Sequence, residues 1–196
     1  MLTKEIALHS KVSKVKQENS HIMPLTISIY FLMFAYSVSV TMIGPLMPVL
    51  ISQYNLKLSE GGLIMTFQSI GGVLAIILGA VITDLVKKSK SVLITFLVYS
   101  LSLLLLAVPT SYLVLLGLFF LLGGSTRLLD ALVNAFISDI HSSCRARYLS
   151  LLHTFFGIGA FTGPIFAAVL INHGISWNST FLILGIICLI IILLYG

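Results

Sequence analysis

Six long apolar stretches run along the chain, and short polar segments separate them. A helix that crosses a bilayer needs about 20 mostly apolar residues, and each stretch is close to that length or longer. Residues 1–22 are polar, so we predict a cytoplasmic N-terminal tail there and one six-helix transmembrane domain over residues 23–196. The predicted helices cover residues 25–53, 61–85, 91–108, 111–138, 148–172 and 177–196.

Composition favours a membrane protein over a soluble one. Of the 196 residues, 58% are hydrophobic and 9% are charged, whereas soluble domains carry about 25% charged residues. A soluble core of this size cannot hide so much apolar surface. We therefore predict an all-α integral membrane protein that passes several times through the lipid bilayer of the cell membrane.

Other classes of protein find little support in the sequence. Cys144 and Cys188 are too few for a disulfide framework or a zinc site. The net charge of +5 comes from basic residues scattered between apolar stretches, which indicates topology signals rather than a nucleic-acid surface. The sequence contains no phosphate-binding glycine loop, paired-histidine metal motif or nucleophile elbow. We predict no cofactor, no metal, no nucleic-acid partner and no enzyme activity.

Lysines and arginines predict the orientation in the membrane. Of the eleven, nine precede the first stretch or follow the second or the fourth; Lys57 lies on the opposite side and Arg127 lies inside a stretch. Cytoplasmic loops carry the excess of basic residues. The N-terminus, the loops after the second and fourth helices, and the C-terminus are therefore predicted to be cytoplasmic.

The second stretch closes with one acid and a short basic turn, in GAVITDLVKKSK (79–90). This segment resembles the loop after the second helix in the major facilitator superfamily. The resemblance implies a conformational-gating loop formed by Asp84, Lys87, Lys88 and Lys90, in which the aspartate faces a helix of the second half of the transporter. The alternative is a stop-transfer cluster, which accounts for the lysines but not for Asp84.

Three further segments resemble the same family, in the order in which the family carries them. Two of them resemble its sugar-permease branch, the fucose- and glucose-type proton symporters. The resemblance covers residues 24–196 and implies the N-terminal six-helix half of a two-half transporter, with the C-terminal half absent. It also implies a small solute and a proton as substrates, and the missing half or a second copy of the chain as partner. The segments are GPLMPVLISQYNLKLSEGGLIMTFQSIGG (44–72), LLGGSTRLLDALVNAFISDI (121–140) and RYLSLLHTFFGIGAFTGP (147–164).

Polar residues inside the fourth stretch form the main candidate site. Arg127, Asp130 and Asn134 are spaced i, i+3 and i+7, which places them within about 60° of helix rotation. This face must meet protein or water, because an unpaired charge in lipid costs several kcal/mol. One interpretation makes Asp130 the proton-coupling carboxylate, as an acid at this position is in the resembled branch, with Arg127 and Asn134 orienting it or the substrate. The other is a structural ion pair between Arg127 and Asp130.

Candidate substrate-binding residues share hydroxyl, amide, imidazole or aromatic groups, which suit the hydroxyls and the flat C–H surface of a sugar. For Ser37 and Thr41 the alternative is a hydrogen bond to backbone near helix-bending prolines. His153 is also a candidate proton relay, and its alternative is an interhelical hydrogen bond. The candidates are Tyr30, Ser37, Thr41, Gln68, Asn134 and His153.

Small residues recur every four positions in the second and fifth stretches, as Gly71-Ala75-Gly79-Thr83 and Gly159-Gly163-Ala167. Such stripes predict faces where helices pack closely. Taken with the resemblance, the residues predict secondary active transport of a small solute, a sugar, by proton-coupled alternating access. The alternative is a truncated or split fragment that inserts into the membrane but transports nothing alone.

Overall fold

The structure is a computed structural model. It describes residues 2–108 and 110–195, and the side chains of residues 22–79, 86–108 and 110–193. All regular secondary structure in these residues is α-helical, which confirms the predicted all-α, six-helix fold class. The helices are α1 (Leu2–Gln53), α2 (Leu58–Leu85), α3 (Lys88–Leu106), α4 (Tyr112–Ile140), α5 (Arg145–Asn172) and α6 (Trp177–Tyr195).

Several helices begin before the predicted spans, because hydropathy marks the apolar part of a helix and not its polar ends. In α1 the helix already begins at Leu2, so the segment predicted as a polar tail continues the first span. The cytoplasmic location of that segment stays a prediction. In α2 the start at Leu58 is fixed by Glu60, whose carboxylate accepts a 2.7 Å hydrogen bond from the Lys57 N–H, as in a helix-capping box.

Five helices are long and apolar enough to cross a membrane. The described part of α6, Trp177–Leu193, is apolar but shorter. The five segments are Ile22–Gln53, Leu58–Gly79, Lys88–Leu106, Tyr112–Ile140 and Arg145–Asn172.

The six helices form two three-helix repeats, α1–α3 and α4–α6. Helix α1 packs mainly on α5, and α4 packs mainly on α2; likewise α1 contacts α6 where α4 contacts α3. When α1, α2 and α3 are replaced by α4, α5 and α6, and the reverse, these helix contacts map onto one another. Three helices that each cross the membrane would start the second repeat on the opposite side from the first, as in inverted repeats.

Glycines bring the two main helix pairs into backbone contact. A Cβ on Gly159 of α5 would lie 2.5 Å from the Phe34 carbonyl oxygen of α1. At the corresponding place in the other pair, a Cβ on Gly71 of α2 would clash with the Phe120 carbonyl of α4. These contacts lie on the predicted small-residue stripes, which are therefore packing faces.

Candidate functional site

Helix α4 carries the charged residues of the candidate site near the middle of its length. The helix is continuous from Tyr112 to Ile140, so Arg127, Asp130 and Asn134 lie along one face. We call these three residues the charged stripe. Arg127 is exposed, whereas Asp130 and Asn134 are half-buried.

Within the charged stripe, Asn134 rather than Arg127 holds the aspartate. Asn134 Nδ2 donates hydrogen bonds to the Asp130 backbone oxygen at 2.8 Å and to Asp130 Oδ1 at 3.1 Å. Among the side chains that the structure describes, the salt bridge that forms joins Lys88 to Asp139 at 2.6 Å. The interpretation of Arg127 and Asp130 as a structural ion pair thus has no contact to support it in this conformation.

Tyr36 is a neighbour of the charged stripe that the sequence did not reveal. Its ring is buried and lies edge-on to Tyr99, with centroids 6.1 Å apart, and tilted against Phe156 at 5.7 Å. It lies within electrostatic range of both Asp130 and Arg127. Helix α1 is apolar and rich in aromatic residues. Its sequence pattern is the same for a tyrosine that lies near the site and for one that only fills the core, so the sequence does not distinguish the two.

Three of the predicted substrate-binding residues lie in the contact between α1 and α5. The Tyr30 hydroxyl donates to the Tyr148 carbonyl at 3.0 Å, and the Ser37 hydroxyl donates to the Phe156 carbonyl at 2.6 Å. Thr41 Oγ1 donates back to the Ser37 carbonyl at 2.8 Å. These are the backbone hydrogen bonds that the alternative for Ser37 and Thr41 described. Any contact of these residues with a substrate stays a prediction.

The other two candidates outside α4 are more open. Gln68 is half-buried on α2, and its backbone carbonyl is the group against which Gly123 of α4 packs. His153 is exposed on α5, and no hydrogen bond or ion pair joins it to the charged stripe within the described residues. The structure therefore brings Arg127, Asp130 and Asn134 together on α4, and no described hydrogen bond or ion pair links His153 to them.

The predicted gating loop is only partly described. The Asp84 side chain lies outside the described residues, and Lys87 and Lys90 are exposed. Lys88 binds Asp139 at the end of α4, with both side chains about half exposed. Asp139 was not among the predicted site residues. The sequence could have indicated it, because Asp139 lies at the predicted cytoplasmic end of α4, on the same side as the basic turn after α2.

His141, in the turn between α4 and α5, ties that turn to α1. Its Nε2 lies 2.8 Å from Thr26 Oγ1, and its ring stacks on Tyr148 with centroids 3.5 Å apart. The threonine hydroxyl is also placed to donate to the Ile22 carbonyl at 2.8 Å, so His141 Nε2–H is the donor in the first contact. Burial lowers the pKa of His141 below its ordinary value.

Two apolar grooves lie away from the charged stripe. One, of about 370 Å³, is bounded by α2, α3 and α4; the other, of about 320 Å³, is bounded by α1, α5 and α6. The exchange of repeats relates one to the other, and neither includes Asp130, Asn134 or His153. In the described residues no three His, Cys, Asp or Glu side chains come together as metal ligands would.

Comparison with known proteins places this geometry in a family. Residues 29–196 match the family model described as Major Facilitator Superfamily. The chain is 28% identical over 168 residues to a protein TsgA homolog of Buchnera aphidicola subsp. Schizaphis graminum (strain Sg), covering 85% of the chain and 43% of that protein. It is 24% identical over 156 residues to a protein TsgA homolog of Buchnera aphidicola subsp. Baizongia pistaciae (strain Bp), covering 79% of the chain and 40% of that protein.

Proposed function

Since the chain belongs to the Major Facilitator Superfamily, we propose that it forms the N-terminal half of a secondary transporter for a small solute. The six helices have the neighbour pattern of inverted three-helix repeats, which supports a rocking half-bundle. In such transporters the solute binds between two halves near the middle of the bilayer. Arg127 and Asp130 lie near the middle of α4, the part of a spanning helix that would lie at that depth.

The observation that carries the proposal is the charged stripe. Ionisable side chains inside membrane helices are rare and mark substrate, ion or proton pathways. Asp130 is half-buried, and its carboxylate accepts a hydrogen bond from a neutral amide rather than from a cation. We propose that Asp130 carries the coupled proton, that Asn134 and Arg127 orient it or the substrate, and that His153 serves as a relay.

A sugar is the proposed solute, as in the resembled branch. Half-buried Thr41, Gln68 and Asn134 offer hydroxyl and amide groups that suit sugar hydroxyls. The hydroxyls of Tyr30 and Ser37 are engaged with the backbone of α5. Both residues are buried in that contact, so a role for them in binding the sugar requires the α1–α5 contact to open.

The test separates coupling from binding. Asp130→Asn, in cells that produce the chain, should abolish uphill accumulation of labelled hexoses but leave their exchange across the membrane partly intact, because exchange needs no net proton movement. Asp139→Asn is the matched control, since Asp139 pairs with Lys88 away from the charged stripe, and it should leave the ratio of accumulation to exchange unchanged. Equal loss of accumulation and exchange in Asp130→Asn, with a misfolded protein, would assign Asp130 a structural role.

A second candidate is a split or truncated transporter that inserts but transports nothing alone. The chain spans 43% and 40% of the length of the curated relatives it matches, and this favours the candidate. Under it, uptake appears only when a second six-helix half is produced in the same cell. Uptake by the chain alone would instead require a second copy of the chain as the other half.

The proposed orientation places both ends and the gating loop in the cytoplasm, following the distribution of basic residues. An impermeant thiol reagent added outside should label Asn55→Cys and Ser176→Cys, and should miss Ser89→Cys. All three residues are exposed in the folded chain. Labelling of Ser89→Cys in intact cells would reverse the orientation, and with it the assignment of Asp84, Lys87, Lys88 and Lys90 to a cytoplasmic gate.

A further inference from the structure

The position of Arg127 limits what can neutralise it. It lies near the middle of α4, about 20 Å from either end at a rise of about 1.5 Å per residue. Long basic side chains escape to lipid headgroups only from near the ends of a membrane helix. A headgroup phosphate is therefore out of reach, and the counter-charge has to come to the middle of the membrane.

No described acid forms a salt bridge with Arg127, although Asp130 on the same helix balances its charge in the site as a whole. Arg127 is exposed, and the acid one turn away, Asp130, is bonded to Asn134 instead. The salt bridge formed in the described part of the chain involves Lys88 and Asp139, at the helix ends.

The neighbouring helix leaves room for the arginine. A Cβ on Gly72 of α2 would lie 2.6 Å from Arg127 Cγ, so the aliphatic stem of the arginine occupies the space that a side chain on α2 would fill. With the stem fixed against backbone, the guanidinium is the part of the residue left open. A guanidinium fork is suited to carboxylates, which it binds with two parallel hydrogen bonds.

Resting on the proposed function, we infer that Arg127 binds the charged group of the substrate, and that the substrate is a hydroxylated organic anion, a sugar acid rather than a neutral sugar. Charge balance supports this class. The empty site holds one cation, Arg127, and one anion, Asp130. The loaded site holds Arg127, the substrate carboxylate and a protonated Asp130, and it is again neutral.

A neutral sugar would break this balance. With a protonated Asp130 and an uncharged solute, the arginine would keep an uncompensated charge at mid-membrane, which costs several kcal/mol. Proton symport with an anion therefore allows both the empty and the loaded site to change sides without a net charge.

The test is chemical protection of Arg127 in membrane vesicles that contain the full chain. Phenylglyoxal modifies accessible arginines, and mass spectrometry reads each one separately; Arg127→Gln identifies the corresponding peptide. D-gluconate should slow modification of Arg127 severalfold, and D-glucose, its neutral match, should not. Arg145 and Arg147, exposed beside the start of α5, are internal controls that neither compound should protect.

Three results would overturn the inference. Equal protection by glucose and gluconate, or no protection by gluconate, would remove the anionic substrate. If gluconate protected Arg145 and Arg147 as strongly as Arg127, the protection would be unspecific ion pairing rather than binding at a site. An Arg127 that resists phenylglyoxal without any added compound would indicate an acid supplied by a partner chain.

This assay does not depend on proton coupling. If Asp130→Asn keeps uphill accumulation of labelled gluconate while gluconate still protects Arg127, the proposed coupling role fails and the anion site stands. If gluconate gives no protection while Asp130→Asn separates accumulation from exchange, the anion site fails and the proposed function stands.

Discussion

The α1–α5 pair and the α2–α4 pair hold corresponding places in the two repeats, but different chemistry joins them. In α2–α4, Gly123 packs against the Gln68 carbonyl and Gly71 against the Phe120 carbonyl. In α1–α5, a serine stands where the other pair has Gly123, and its hydroxyl donates to the Phe156 carbonyl. The described hydrogen bond between α2 and α4 lies at their first turns, from the Tyr112 hydroxyl to the Glu60 carbonyl at 2.9 Å. In α1–α5 the hydrogen bonds of Tyr30 and Ser37 lie along the contact itself.

This difference matches the position of the charged residues. The α2–α4 pair carries the charged stripe, whereas in the α1–α5 pair aromatic rings also stack, such as Tyr30 on Phe155 with centroids 5.3 Å apart. The glycine contacts constrain distance but form no directional bond, so beyond the Tyr112–Glu60 hydrogen bond α4 can rotate or slide slightly on α2. We interpret α2–α4 as the working pair and α1–α5 as its fixed counterpart.

The largest expected effect comes from adding one methyl group to the α2–α4 contact. Gly123→Ala should destabilise the folded chain by about 1–3 kcal/mol, the usual cost of overpacking, because the new Cβ meets the Gln68 carbonyl. Thermal unfolding in detergent measures the change. Gly117→Ala is the control on the same helix, where a Cβ meets nothing within 4 Å. Equal loss in both variants would mean that α2 and α4 do not approach this closely.

A smaller effect is expected from the α1–α5 pair. Ser37→Ala should cost about 0.6 kcal/mol and at most about 1.7, the range measured for hydrogen bonds between membrane helices. Ser102→Ala is the control, since Ser102 is buried but donates to its own helix at the Val98 carbonyl, and it should cost less. A Ser37→Ala loss as large as that of Gly123→Ala would erase the distinction between the two pairs.

The pattern of apolar residues in the sequence predicted the number of helices and the all-α fold class. The spacing of small residues predicted the stripes on which the helices pack. The four-residue spacing of Gly159 and Gly163 is a property of one helix, α5, so the sequence of that helix alone carries it. The partner of each stripe is not such a property. The tilt of α2 against α4 decides which carbonyl contacts Gly123. The rotamers on α4 decide that Asn134, rather than Arg127, is hydrogen-bonded to Asp130.

The gating loop shows the same limit. Its lysines were visible as a charge cluster, but Lys88 pairs with Asp139, which lies 51 positions away in the chain. Similarly, the contact between Thr26 and His141 joins residues 115 positions apart. Pairings of this kind arise from the neighbour pattern of the bundle, which no local stretch of sequence encodes.

The smallest effect is a pH dependence at the end of the α1–α5 pair. Because burial lowers the pKa of His141, the folded chain favours the neutral ring, whereas an unfolded histidine titrates near pH 6.5. The contribution to stability is fully present above that pH and is lost as the pH falls through the lowered folded value. The unfolding temperature should therefore drop slightly more on acidification in the natural chain than in His141→Gln. An identical pH dependence in the two would show that the burial of His141 does not select the neutral ring.

The central claim is that the charged stripe faces a watery pathway rather than lipid or a sealed core. Ala131 is exposed on α4 next to Asp130, and Ile77 is exposed on the purely apolar middle of α2. In a chain with Cys144→Ser and Cys188→Ala, a small, charged thiol reagent should modify Ala131→Cys in membranes and leave Ile77→Cys unmodified. Modification of Ile77→Cys alone, or an Ala131→Cys that stays unreactive in a folded chain, would contradict the account.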